Sequence, residues 1–209
     1  MSLEDEIERR VAAASREVLE GKNEPERLSE FFLLLEETAQ SLINKHLILS
    51  PPPTPLHCKP GCSYCCHAKH ILLTPPEALF LLGIIESCGF RFAVTAAARS
   101  TRPGCPLMDG EGQCRFYPHR PLICRAFHSL DVEECKKGVG DEGLSVPVWL
   151  PHYEIYTRIQ AGMARGLMEM GRAMPKLDLR RVLALQAPVA LIWEQWMKGE
   201  NPFAAAEME

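Results

Sequence analysis

Leu3, Ile7, Val11, Ala14 and Val18 recur every three to four residues among charged neighbours, which predicts an amphipathic helix over Met1 to Glu20 that ends near Gly21. Asn23-Glu24-Pro25 is a start signal, with proline early in a helix where its missing N–H would lack an intrahelical partner anyway. Leu28, Phe31, Leu35, Ala39, Leu42, His46 and Leu49 then mark one face of a second helix over about six turns. The four prolines within Pro51 to Pro55 stop it, because a run without N–H donors and with fixed φ favours an extended, semi-rigid strap.

Past the strap, Thr74-Pro75-Pro76-Glu77 reads as a capping box with proline at the first helical position, followed by an apolar helix from Ala78 to Ile85 and a stop at Gly89. The apolar residues of this helix run nearly all the way round, so it is expected to be packed on most sides. A short alanine-rich helix is expected around Ala93 to Arg99, and from Gly104 to Gly143 the abundance of Gly, Pro and Cys predicts loops. Ile155, Ile159, Met163, Leu167 and Met170 mark another helix. Asp178 is placed to cap a last one running through Val182, Val189, Trp193 and Trp196, with a kink at Pro188. Strand signals are weak. The expected fold is mainly α, with few or no strands: an amino-terminal helical pair (1–50), a loop-rich cysteine core (51–145) and a carboxy-terminal helical pair (146–209), forming one compact unit.

Composition narrows the function. With 46% hydrophobic and 24% charged residues, the 209-residue chain is of globular type. A net charge of −4, spread over acidic and basic residues, gives no broad field to gather a phosphate backbone and argues against nucleic acid as a partner. The apolar runs are too short to span a bilayer and the charged first ten residues lack a signal-peptide core, so a cytoplasmic protein is expected. Nine cysteines in a reducing compartment point to metal ligation or redox chemistry in preference to disulfides.

Cys58-Lys-Pro-Gly-Cys62-Ser-Tyr-Cys65-Cys66 sets four cysteines within nine residues of a Pro/Gly turn. Thiols two and three residues apart on a tight turn can converge on one positive centre, which in turn favours their thiolate form. The adjacent Cys65 and Cys66 are expected to point apart and to serve different metal atoms, or for one of them not to be a ligand. A second group, Cys105, Cys114, Cys124 and Cys135, follows in the irregular segment, making eight candidate ligands: enough for two four-cysteine sites, or for one cluster and a separate ion. Cys105-Pro106 has the form that closes a ferredoxin-type ligand run. Thiol crowding and this dipeptide place an iron–sulfur cluster, 4Fe–4S in type, ahead of zinc. Cys88, at the end of an apolar helix, is expected in the core. His67, His70 and His128 can replace a sulfur ligand or stand behind one, and Arg115, Arg120 and Arg125 can offset thiolate charge or be plain surface cations. Gly162 and Gly166, four apart, are expected to allow close helix packing.

The run Cys58 to His67, the extended Ile71-Leu72-Leu73 before Thr74 to Glu77, Cys105-Pro-Leu-Met-Asp109, Gln113-Cys114-Arg-Phe-Tyr117, Arg120-Pro-Leu-Ile-Cys124-Arg125, and Ser129-Leu-Asp131 with Cys135 together resemble the CxxCxxCC family of zinc- or iron-chelating proteins, also called YkgJ-type cysteine cluster proteins. The gap between Cys58 and Cys62 is three residues where the family name implies two. The resemblance implies metal or iron–sulfur binding in a bacterial cytoplasmic protein and brings no established reaction; a protein or redox partner is left unidentified. A related cysteine cluster occurs in flagellin lysine methylases, which keeps an enzymatic role open by analogy. Cys58, Cys62 and Cys65, with Tyr64 before the third, are also spelled like the radical S-adenosylmethionine motif, but a proline strap precedes them where that fold needs a strand. Metal storage or delivery is a further alternative.

Overall fold

Ile7, Val11 and Leu19 lie buried on one face of α1 (Leu3–Glu20) in the computed structural model, which describes residues 3–20, 25–139 and 147–208. That face is laid along α7 (Leu150–Glu169), whose Ile155, Ile159, Met163 and Leu167 are buried as the periodicity predicts. Gly162 and Gly166 let the two backbones meet. A Cβ added at either glycine would stand 2.5 Å from a carbonyl oxygen of α1, that of Glu8 or of Ala12. Ser15, absent from the predicted apolar face, is fully buried in this seam beside Gly166, and its hydroxyl donates to the Val11 carbonyl at 2.7 Å. Ala14 and Val18 lie at the margin of the face. Ion pairs Arg16–Glu169 and Arg158–Glu8 border the seam. Gly21, Asn23 and Glu24, which carry the expected stop and start between the first two helices, lie outside the described residues.

The second helix, α2 (Pro25–Leu49), buries Leu28, Phe31, Phe32, Leu35, Ala39 and Ile43, and Phe32 stacks on Phe80 with ring centroids 4.7 Å apart. Its last turn leaves the core, so that Leu49 is exposed, contrary to the expected face.

In α3 (Pro75–Ser87) the predicted capping box is present, with Thr74 and Glu77 bonded reciprocally. Glu77 does more than cap. Its fully buried carboxylate accepts from the Thr74 N–H and hydroxyl, from Gln160 of α7, and from the Leu122 N–H, all at 2.8–2.9 Å. Burial raises its pKa, while these donors work in the opposite direction. One side chain thus ties the start of α3 and the middle of α7 to the start of α5 (Leu122–Ala126).

The chain continues through α4 (Arg91–Arg99) and, in the segment expected as loops, forms α5, α6 (Val132–Lys137) and a 3-10 turn at Tyr117–His119. The cause for α6 is local: Asp131 caps it by accepting from the N–H groups of Glu133 and Glu134. Gly143 lies outside the described residues. The expected last helix is two: α8 (Leu179–Leu183), capped by Asp178, and α9 (Val189–Met197). Pro188 therefore breaks the helix instead of kinking it and starts the next one. Leu72–Leu73 (β1) pairs antiparallel with Leu177–Asp178 (β2), the one sheet among the described residues, so the fold is mainly α as expected. One hydrophobic cluster draws residues from every helix from α1 to α9 except α6. Among the described residues no helix is long and apolar enough to cross a membrane.

Candidate metal centre

The first cysteine group is built on two successive tight turns. The Cys62 N–H donates to the Lys59 carbonyl at 3.0 Å, with Gly61 at φ +91° in the left-handed region where glycine is tolerated. The chain then enters a 3-10 turn over Tyr64–His67, closed by Cys66 N–H to Ser63 and Ala68 N–H to Cys65. On this turn Cys65 and Cys66, expected to point apart, both line one cavity. The reason is the tight 3-10 winding, which does not alternate side chains as a strand does.

The second group comes from three elements. Cys105 and Cys114 lie on the two limbs of a small loop held by Arg115 N–H to Leu107 O, by the Met108–Cys114 bridge, and by the Asp109 carboxylate, which accepts from Glu111 and Gln113. Cys124 is carried by α5, whose start is fixed by Glu77. Cys135 is carried by α6 and donates to the Ser129 hydroxyl at 3.1 Å, while the Ser129 N–H donates to Cys58 Sγ at 3.1 Å. Ser129 thereby joins the first thiol of the series to the last.

Six thiols, of Cys62, Cys65, Cys66, Cys105, Cys114 and Cys124, line one cavity of about 30 Å³ with Tyr117, Arg120 and Leu179. Within this ring Cys65, Cys105, Cys114 and Cys124 interact electrostatically in every pairing. Cys58, Cys62 and Cys135 do so among themselves, and Cys58 and Cys135 also feel Cys65. Burial pushes the Cys105 thiol up to about 12 and Cys58 to about 11, and raises Cys114, Cys124 and Cys135. The contact with Cys66, followed by burial, raises Cys65. Without a cation these thiols hold their protons; a bound metal reverses that preference by supplying the missing positive charge. Among the described residues, no three His, Cys, Asp or Glu side chains already stand at the spacing of a single-ion site. The donor set itself fits a thiophilic metal: sulfurs from four separate elements face one enclosed space.

Of the three arginines noted in the sequence, Arg120 faces the cavity. Its guanidinium lies 3.7 Å from the Tyr117 ring centre and opposes the rise in the pKa values of Cys65, Cys114 and Cys124. Arg115 covers the Phe90 ring, and Arg125 pairs with Glu36 at 2.8 Å. His67 packs against Gly104 and His70 Nδ1 meets the buried Asp178 carboxylate at 3.1 Å. His128 Nε2 reaches the Cys58 carbonyl, and its Nδ1 meets Nδ1 of His152 at 3.0 Å. Cys88 is exposed, which corrects its expected core position: it is the C-cap of α3, beyond the helix's buried face.

Several contributors had no signal in the sequence. Arg180 donates to the backbone carbonyls of Ala97, Ala98, Ser100, Arg102 and Gly104, strapping the approach to Cys105, whose thiolate it also favours. His152, which meets His128, likewise had no signal, whereas Asp178 was legible as a cap and its contact with His70 was not. Glu77 was legible as a cap, and its bond to Leu122 was not.

No curated protein and no solved structure matches this chain. Residues 57–140, the stretch that carries all eight clustered cysteines, match the CxxCxxCC family model, described as "Putative zinc- or iron-chelating domain".

Proposed function

We propose that this protein binds an iron–sulfur cluster or zinc through cysteine thiolates, in a structural or redox role, with iron–sulfur as the first reading. The observation that carries it is the ring of six thiols around one enclosed cavity within the matched segment. A single tetrahedral zinc ion would hold four sulfurs about 3.8 Å apart, given zinc–sulfur bonds of about 2.3 Å. Thiols spread around a space suit a cluster of several metal atoms better. Cys65, Cys105, Cys114 and Cys124, which interact in every pairing, form the first ligand set we assign. Cys58, Cys62 and Cys135 form the core of a second, with Cys66 the remaining thiol at hand. When bound, an iron–sulfur cluster would supply one-electron chemistry, whereas zinc would supply cross-linking alone.

The protein's own residues set the conditions. Arg120 offsets thiolate charge, Ser129 orients Cys58 and Cys135, and Glu77 and Arg180 hold the elements that bear Cys124 and Cys105. All nine cysteines are free thiols, which supports a reducing, cytoplasmic setting.

The test is an absorption spectrum of anaerobically purified protein, with iron, zinc and acid-labile sulfide assayed on the same sample. Broad visible absorbance with matching iron and sulfide is expected. A colourless protein with stoichiometric zinc would replace the cluster by zinc, and a sample that neither holds nor takes up metal would overturn the proposal.

A further inference from the structure

Cys62 has two faces. It lines the enclosed thiol cavity, and it also lines an open cleft of about 460 Å³ on the protein surface. Beside Leu56 and Val132, the cleft's other walls carry His57, Lys59, Tyr64 and Lys136, with no carboxylate among its lining residues. The local geometry keeps these groups together. The turn closed by Cys62 N–H and Lys59 O holds Lys59 beside Cys62, the His57 N–H is fixed to Ser129 at 3.0 Å, and Lys136 lies 5.9 Å from the Tyr64 ring centre. Lys136 is paired with Glu133 at 2.5 Å, which offsets part of its charge; Glu133 is outside the lining. On a chain of net charge −4, a basic cleft opening onto a thiol is a local reversal of sign.

We infer that this cleft is the loading site of the thiol cavity, and that it takes metal as a small anionic chelate, a metal ion held by carboxylate ligands with net negative charge. The inference rests on the metal-binding reading above. A volume of this size matches a small-molecule site, and cations at its walls concentrate an anion next to the thiol. Transfer is a ligand exchange without redox change. Cys62 Sγ forms a bond to the metal, one chelator carboxylate–metal bond breaks, and the thiol proton passes to the released carboxylate or to water. The remaining thiols of the cavity then complete the exchange behind Cys62.

The experiment uses reduced, metal-free full-length protein and follows zinc uptake by stopped flow from two complexes: zinc–nitrilotriacetate, which carries one negative charge, and zinc–iminodiacetate, which is neutral. In the double variant Lys59→Gln/Lys136→Gln, uptake from the anionic complex should slow by about three- to tenfold, while uptake from the neutral one changes by less than about twofold. Lys59→Glu should slow the anionic complex further, and added salt should erase the differences. Final zinc per chain should be the same in all variants. Equal slowing of both complexes, or no slowing of either, would overturn the loading site and leave the metal reading standing. A wild-type protein that takes zinc from neither complex would overturn both.

Discussion

The seam between α1 and α7 and the cavity among the cysteines are closed by opposite means. The seam closes on itself: glycines bring backbone to backbone, and its one buried hydroxyl is bonded within its own helix. The thiol cavity gathers groups that oppose one another on ionisation, with Arg120, and Arg180 at Cys105, against them. The first region is complete as a packed solid. On the proposed reading the second is completed by a bound cation, which is why metal chemistry is read from one and plain stability from the other.

The strongest way to break this contrast is at the seam. Gly162→Leu should remove α1 from α7, because its Cβ already meets the Glu8 carbonyl and the rest of the side chain has no room. A loss of about 3 kcal/mol or more in urea unfolding is expected. Gly162→Ala should cost less, since alanine recovers about 1 kcal/mol of helix propensity. Metal content of whatever remains folded should be unchanged, and a parallel loss of metal would show that the regions are not separable.

A second test lies where they meet. Burial, then the neighbouring His128, lowers the pKa of His152 from 6.5 to about 4. A lowered histidine pKa means the fold prefers the neutral ring, so its contribution is present above pH 6.5 and is lost as pH falls toward 4. By linkage the loss reaches about 3 kcal/mol at full protonation. His152→Phe, which keeps the stack on Tyr156, should flatten that acid limb in denaturant melts between pH 7 and pH 4.

Arg120→Gln sharpens the comparison from the cysteine side. Removing the cation beside Cys65, Cys114 and Cys124 should weaken metal binding by about tenfold in a chelator competition, with little change in the seam. Arg120→Lys should fall between, retaining charge and losing the stack on Tyr117. The smallest effect is expected at Cys88: Cys88→Ser should leave metal per chain unchanged and stability within about 0.5 kcal/mol, as its side chain is exposed.

What could be read beforehand follows the same division. Patterns that act within a few residues were legible: the Thr74 capping box, the α7 stripe, the small-residue pair Gly162 and Gly166. Ser15 was not, because a buried hydroxyl looks polar until its own helix satisfies it. Pro188 showed that the last helix would be disturbed but not that Leu185 to Pro188 would turn the chain. At the cysteines, spacing marked the candidate ligands, whereas their grouping depends on elements far apart in the chain. Arg180 near Cys105 and His152 beside His128 are products of tertiary packing that no local pattern encodes.

The glycine seam also bears on how the protein is made. Its two sides are remote in the chain: Glu8 and Arg158, paired across it, are 150 residues apart. At roughly 5–20 residues per second, a ribosome would release α1 about 7–30 s before α7 exists to receive it. During that interval Ile7, Val11 and Leu19 have no α7 to cover them. A chain truncated before Leu150 would therefore keep the apolar face of α1 without its α7 cover, a surface on which it could stick to another copy.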